Sequence, residues 1–261
     1  MNLRTTAKTL LVSALLLTGF GAEAYRHCVE NWFCISKDND KNSIRLNNLT
    51  DFPVVVTIEG NWRTGKGEFQ AFVVSRQLLN KDSTEHHVFT LPLADVWPSL
   101  EYSVSWAGGV LLAEHDDTAT YRLPFAPNSD FRMVQGFGGG YSHYGSSKYA
   151  VDFAMPIGTP VHAAREGVVI DVEQRHNRGG ASRRYSKYAN YIVLLHPDGT
   201  TGEYYHLQHN GVRVKLGDPV QQGQLIGLSG NTGFSSLPHL HFAVYRAKPF
   251  GEYQSLPFEF N

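Results

Sequence analysis

Short apolar runs punctuated by turn residues recur along the chain and divide it into two β-rich regions. In the first, Ser43-Ile44-Arg45-Leu46 alternates, Val54 to Ile58 is β-branched, and Phe69 to Val74 is apolar. His87 to Leu91, Tyr102 to Trp106 and Thr120 to Leu123 continue the series. Alternation sends successive side chains to opposite faces, so these runs predict strands, and their spacing predicts a small antiparallel sandwich over residues 25–123. Leu123-Pro124-Phe125-Ala126-Pro127-Asn128 breaks the series. Its paired prolines disfavour helix and central strand, which places a linker at 124–129.

Residues 130–261 form the second region. Tyr149 to Ala154 reads as a strand carrying one acid, Asp152, and Pro160 to Ala164 and Gly167 to Val172 follow. Tyr191 to His196 and Thr201 to His206 flank Pro197-Asp198-Gly199, a hairpin signal. Val212 to Val214 and Gln224 to Gly227 are short runs between Gly211, Gly217, Gly223 and Gly230. The expected fold class is therefore all-β, a sandwich-like domain followed by an antiparallel sheet domain. A polar loop, Gln174 to Ala189, carries Arg175, Arg178, Arg183, Arg184 and Lys187 and reads as a groove border or a solvated tip.

The first 24 residues change this picture. Arg4 and Lys8 precede an apolar core, Leu10 to Leu17, and Ala22-Glu23-Ala24 fits a small-x-small cleavage site. The pattern is that of an export signal at 1–24, with a mature chain from Tyr25. The run is short for a bilayer span, so no transmembrane segment is expected, and a periplasmic or extracellular protein is. Removing the signal leaves 21 basic and 23 acidic residues from the chain's 23 and 24. That balance offers no field for nucleic acid or anionic membrane. Outside a reducing cytosol, Cys28 and Cys34, the only cysteines, are expected to form a disulfide.

Gly136 to Gly140 is glycine-rich, but no strand–loop–helix pattern or closing Lys-Ser/Thr accompanies it, which dismisses dinucleotide binding. The chemistry lies instead in Leu237-Pro238-His239-Leu240-His241-Phe242. On a strand His239 and His241 project to one side and offer two nitrogen lone pairs. His143, Asp152 and His206 complete the candidates: two His and one Asp suit zinc with a fourth position open to water, and two further His suit proton transfer and charge stabilisation.

The ordered motifs resemble the lysostaphin/LytM-type zinc metallopeptidases, a family of peptidoglycan endopeptidases. The matching residues are His143, Tyr149 to Pro156, Gly158-Thr159-Pro160-Val161, Ala163-Ala164, Gly167-Val168-Val169 and Tyr205-His206-Leu207. The glycine-punctuated run Gly217 to Gly233, ending at His239-Leu240-His241, completes them. The resemblance spans about Asp130 to Tyr245. It implies zinc ligands at His143, Asp152 and His241, a catalytic pair at His206 and His239, and hydrolysis of peptide cross-links in peptidoglycan. One departure stands out: eight residues separate His143 from Asp152, more than the family's usual spacing, with Gly145-Ser146-Ser147 available to loop out. Relatives lacking ligands act as activators of other wall hydrolases, and Gly-rich peptides are an alternative substrate. His86 and His87 are adjacent and point apart on a strand, while His162, His176, His196 and His209 have plain structural readings. His27 and His115 carry no assignment.

Overall fold

The computed structural model describes residues 8–13, 26–38, 43–64, 66–81, 86–90 and 101–261. Most of the expected signal, including its cleavage site and Tyr25, lies outside the described residues. The described residues form two compact units, one within Ala7–Leu111 together with Lys248–Glu252, the other Leu112–Ala247 with Tyr253–Asn261.

The first unit holds β1 (Lys8–Ser13), β2 (Arg26–Val29), β3 (Phe33–Asp38), β4 (Ser43–Asn48), β5 (Val54–Arg63), β6 (Phe69–Leu78), β7 (His86–Thr90) and β8 (Glu101–Gly108). They make two four-stranded antiparallel sheets, ordered β1-β8-β5-β6 and β2-β3-β4-β7. Ile35, Ile44, Leu46, Val54, Val56, Ile58 and Val104 are fully buried, and Phe33 of one sheet meets Trp106 of the other edge to face. Cys28 and Cys34 sit opposite each other across β2 and β3 and are joined as a disulfide. β1 lies within the expected signal and pairs with β8 in the full chain; a short apolar run satisfies a strand as readily as a signal core, and periodicity does not separate the two.

The second unit contains β9 (Met133–Gln135), β10 (Ala150–Ala154), β11 (Pro160–His162), β12 (Gly167–Glu173), β13 (Gly179–Gly180), β14 (Tyr191–Leu195) and β15 (Thr201–Tyr205). β16 (Pro219–Val220), β17 (Leu225–Leu228), β18 (Gly233–Phe234), β19 (His239–Ala247) and β20 (Tyr253–Leu256) follow. The main antiparallel sheet runs β16-β12-β14-β15-β19-β10-β9, with β20 added on β19. Period-two alternation gives this sheet two chemically different faces. Val151, Phe153, Ile192, Leu194, Tyr204, Leu240, Phe242 and Val244 enter one hydrophobic core with Val161, Leu207 and Ile226. Each such large side chain contributes about 2 kcal/mol by leaving water. Their sequence neighbours Asp152, Tyr205, His239 and His241 are thereby turned to the other face. The β14–β15 hairpin closes as expected: Asp198 Oδ1 accepts from the Thr200 amide and hydroxyl, and Gly199 takes φ 82°.

The division between the compact units lies at Leu111/Leu112, ahead of the linker expected at 124–129. Tyr121 and Phe125 are buried in the second unit's core, Tyr121 bridges Phe260, and the Arg122 amide donates to Ala164. The prolines there do not free the segment, because the aromatics beside them bury. Likewise Thr120–Leu123 and Val212–Val214 contribute only isolated bridges, at Tyr121 and Val212.

Candidate metal centre

The register of β10 on β19 sets Asp152 directly opposite His241 and Ala154 opposite His239. His143 arrives from the segment before β10. A 3-10 turn at Gly145–Ser147 takes up the extra residues between it and Asp152, with Gly145 at φ 59°. The ligand atoms of His143, Asp152 and His241 consequently lie within 4.8 Å of one another, and all three residues are buried. Asp152 Oδ1 is 2.8 Å from His241 Nδ1, 3.1 Å from His143 Nε2 and 3.8 Å from His239 Nε2.

Backbone carbonyls can only accept, so they fix which nitrogen of each ring carries the proton. His143 Nδ1 donates to Gly136 O at 2.9 Å. His206 Nδ1 donates to Thr232 O and His239 Nδ1 to Leu237 O, each at 2.7 Å. In the neutral form of each ring Nε2 is then the lone-pair nitrogen. His143 Nε2 is buried without a hydrogen-bond partner among the described residues, yet it sits 3.1 Å from the Asp152 carboxylate. Two lone pairs at that distance repel unless a positive charge lies with them, and a cation bound by two imidazoles and a carboxylate meets the need. The donor set therefore fits a metal of zinc type.

Ionisation favours the same state. Burial alone would raise the Asp152 carboxyl, but the His143 and His241 imidazoles set against it outweigh that and hold the group far below the usual carboxylate range. Burial, then the neighbouring His239 and His241, pushes the His206 imidazole well down. Burial also lowers His241, against the pull of Asp152. Neutral imidazoles beside an ionised carboxylate are ready to ligate or to take up a proton.

His206 and His239 stand beside this trio with ring centroids 4.5 Å apart. His206 directly follows β15 at φ 66°, a left-handed conformation that costs a residue with a Cβ about 1 kcal/mol. Thr232 holds it there: its carbonyl takes Nδ1, its hydroxyl donates to Leu207 O, and it accepts from the Asn190 amide. Gly233 follows at φ 81°, where a Cβ would come 2.6 Å from Ala189 Cβ. The glycine-punctuated run is thus the brace of His206.

Several contributors escaped the sequence reading. Gln135 lies opposite Asp152 on β9, and its amide donates to Asp152 Oδ2 at 3.2 Å and to Ser142 Oγ at 2.7 Å. Ser235 Oγ lies 3.0 Å from His239 Nδ1. Tyr141 stacks on Phe234 at 5.7 Å, and both line the small cavity of about 170 Å³ above the site. A Gln in a three-residue strand and a Ser in a loop have no periodic signature; only the register of β9 on β10 reveals the first. Of the remaining histidines, His196 is buried with Nδ1 donating to Glu166 O, apart from the centre. The plain readings of His162, His176 and His209 meet no contrary placement. No metal cluster other than His143, Asp152 and His241 occurs among the described residues.

Comparison with known proteins gives a family match over the segment that carries most of these residues. The description "Peptidase family M23" matches residues 146–252, which include Asp152, His206, His239 and His241 and begin just after His143. The chain is 40% identical to the glycyl-glycine endopeptidase ALE-1 of Staphylococcus capitis over 111 residues, 40% of this chain and 28% of that protein. It is 41% identical to lysostaphin of Staphylococcus simulans over 111 residues (40% of this chain, 20% of that one). Identity to the peptidoglycan DD-endopeptidase ShyA of Vibrio cholerae is 41% over 99 residues, 38% of this chain and 20% of that one. The match thus spans about a quarter or less of the length of these relatives. Among solved structures, the lysostaphin catalytic domain from Staphylococcus simulans aligns over 48% of this chain and 88% of its own, at 35% identity and a TM-score of 0.37. The resemblance carried by the ordered motifs from His143 to His241 is borne out by the M23 match and by these relatives.

Proposed function

We propose that the M23 segment makes this protein an exported, zinc-dependent endopeptidase acting on the peptide cross-links of peptidoglycan. The observation that carries the reading is the convergence of His143, Asp152 and His241 within 4.8 Å, with the His206–His239 pair beside them. The relatives named for glycyl-glycine and DD-endopeptidase activity support a peptide bond as the target. The signal-like residues 1–24 support export to the compartment where that polymer lies.

In this reading His143 Nε2, Asp152 and His241 Nδ1 hold the zinc. Bound there, zinc would supply a Lewis acid and lower the pKa of water from 15.7 toward ~7. The rest is the chain's own work. Gln135 keeps Asp152 oriented by engaging its second oxygen. Thr232 and Leu237 hold the Nδ1 protons of His206 and His239, so each Nε2 faces the site free to accept a proton or, once protonated, to donate one. His206, the more buried, takes the proton released as water attacks, and the pair passes it to the leaving amine; whichever imidazole is protonated also stabilises negative charge on the scissile carbonyl. Tyr141 and Phe234 wall the small cavity and limit water around the reacting groups.

Metal analysis of the purified chain tests the reading, with close to one zinc per chain expected. A purified protein that took up no divalent metal would overturn it in favour of a non-catalytic activator of other hydrolases.

A further inference from the structure

A second cavity, of about 540 Å³, opens in the same unit and shares no residue with the metal centre. Its apolar part is aromatic: Phe258 is buried, Phe260 is half-buried, and Phe137 is 43% exposed. Phe258 contacts both Phe137 and Phe260 at ring distances near 5 Å (5.3 and 5.2 Å), so the three form one continuous surface. The polar rim is neutral or acidic. Asp117, Thr118, Thr120 and Glu259 are exposed around it, and His115 is tied to Asp117 and to the Tyr121 hydroxyl at 3.1 and 3.2 Å. No Lys or Arg lines it among the described residues.

That composition selects a ligand class. Anions are disfavoured by two carboxylates with no fixed cation to offset them. A purely apolar molecule would displace water from the exposed Asp117 and Glu259 carboxylates and offer them no donor in its place. A sugar ring has what both parts require: C–H faces that lie on aromatic rings, and hydroxyl and acetamido groups that donate to carboxylates and exchange hydrogen bonds with threonines. The volume is within the range of small-molecule sites, roughly 300–1,000 Å³. Phe137 directly follows Gly136, whose carbonyl fixes His143 Nδ1, so the rim of this cavity and the support of the metal centre are adjacent in the chain.

We infer that this cavity binds a neutral N-acetylated hexosamine unit, the chemistry of a glycan strand that carries peptide cross-links. The inference rests on the peptidoglycan reading above, and it gives the chain a grip on the glycan separate from its hold on the peptide. The test is titration of the full-length, metal-loaded protein with a neutral N-acetylglucosamine tetrasaccharide, followed by calorimetry and by NMR of the Thr118 and Thr120 methyl groups. Saturable binding that shifts both methyls is expected. The double variant Asp117→Ala/Glu259→Ala, at two exposed positions, should weaken it at least about tenfold, and Ala119→Trp, which fills the cavity, should abolish it. Absence of saturation by about 10 mM, or equal affinity in the double variant, overturns the inference. So does a titration in which an amine-bearing stem peptide, and not the saccharide, moves those methyls. A parallel assay on a glycan-free cross-linked peptide separates the two readings: cleavage without saccharide binding sinks the cavity alone, whereas saccharide binding without cleavage supports the cavity and sinks the peptidase.

Discussion

At the scale of single residues, each of the five site side chains has a partner that fixes its direction. His241→Ala and Asp152→Ala are expected to lose the metal, since each removes one of three donors that lie within 4.8 Å. His206→Ala and His239→Ala should keep it and lose turnover by about 10²–10⁴-fold, the usual worth of an acid/base group. Metal content and single-turnover rates on the same preparations check both. Gln135→Ala is a subtler case. It frees Asp152 Oδ2 from its amide donor, and loss of such a supporting hydrogen bond typically weakens metal binding by about 10–100-fold. A competition titration with a zinc chelator reads that shift. Unchanged affinity would show that Asp152 is held by its imidazole neighbours alone.

Among the elements, the glycine-rich run between β17 and β19 does the placing. Gly233→Ala would force an L side chain to φ 81° and bring its Cβ to 2.6 Å from Ala189. A loss of about 1–3 kcal/mol in urea unfolding is expected, with reduced activity because Thr232, one residue earlier, holds His206. This run also shows how much the sequence disclosed. Asp152, His206, His239 and His241 were legible because strand alternation and motif order constrain them together, and His143 was legible despite the eight residues before Asp152. Gln135 was not: a hydrogen bond across two strands depends on register, and no local pattern encodes it. The linker segment is a related case. Pro124 and Pro127 report what the backbone cannot do, whereas Tyr121 and Phe125 report where the segment packs, and packing decided the boundary. The strands themselves were read well wherever apolar alternation ran for five residues or more.

For the whole molecule, the unit boundary has a direct consequence. A fragment Leu112–Asn261 should unfold in one cooperative transition, whereas one starting at Asn128 should be several kcal/mol less stable, having lost the buried Tyr121 and Phe125. Denaturant midpoints of the two fragments check this. Acid should weaken the same unit through His196. Burial, reinforced by the Arg165 charge, pushes its imidazole down to about 4 from 6.5. The unfolded chain therefore binds the proton first as pH falls. Stability is complete above pH 6.5, declines between 6.5 and about 4, and falls by ~3 kcal/mol when His196 is fully titrated. His196→Gln should flatten that part of the profile. The central claim is that the metal centre and its histidine pair cleave peptide cross-links, and mass spectrometry of cross-linked muropeptides incubated with the full chain tests it most directly. A new amino terminus should appear inside the cross-link with zinc-loaded protein, and none after chelation or in His206→Ala. Cleavage that survives chelation, or intact cross-links with the zinc-loaded chain, would contradict it.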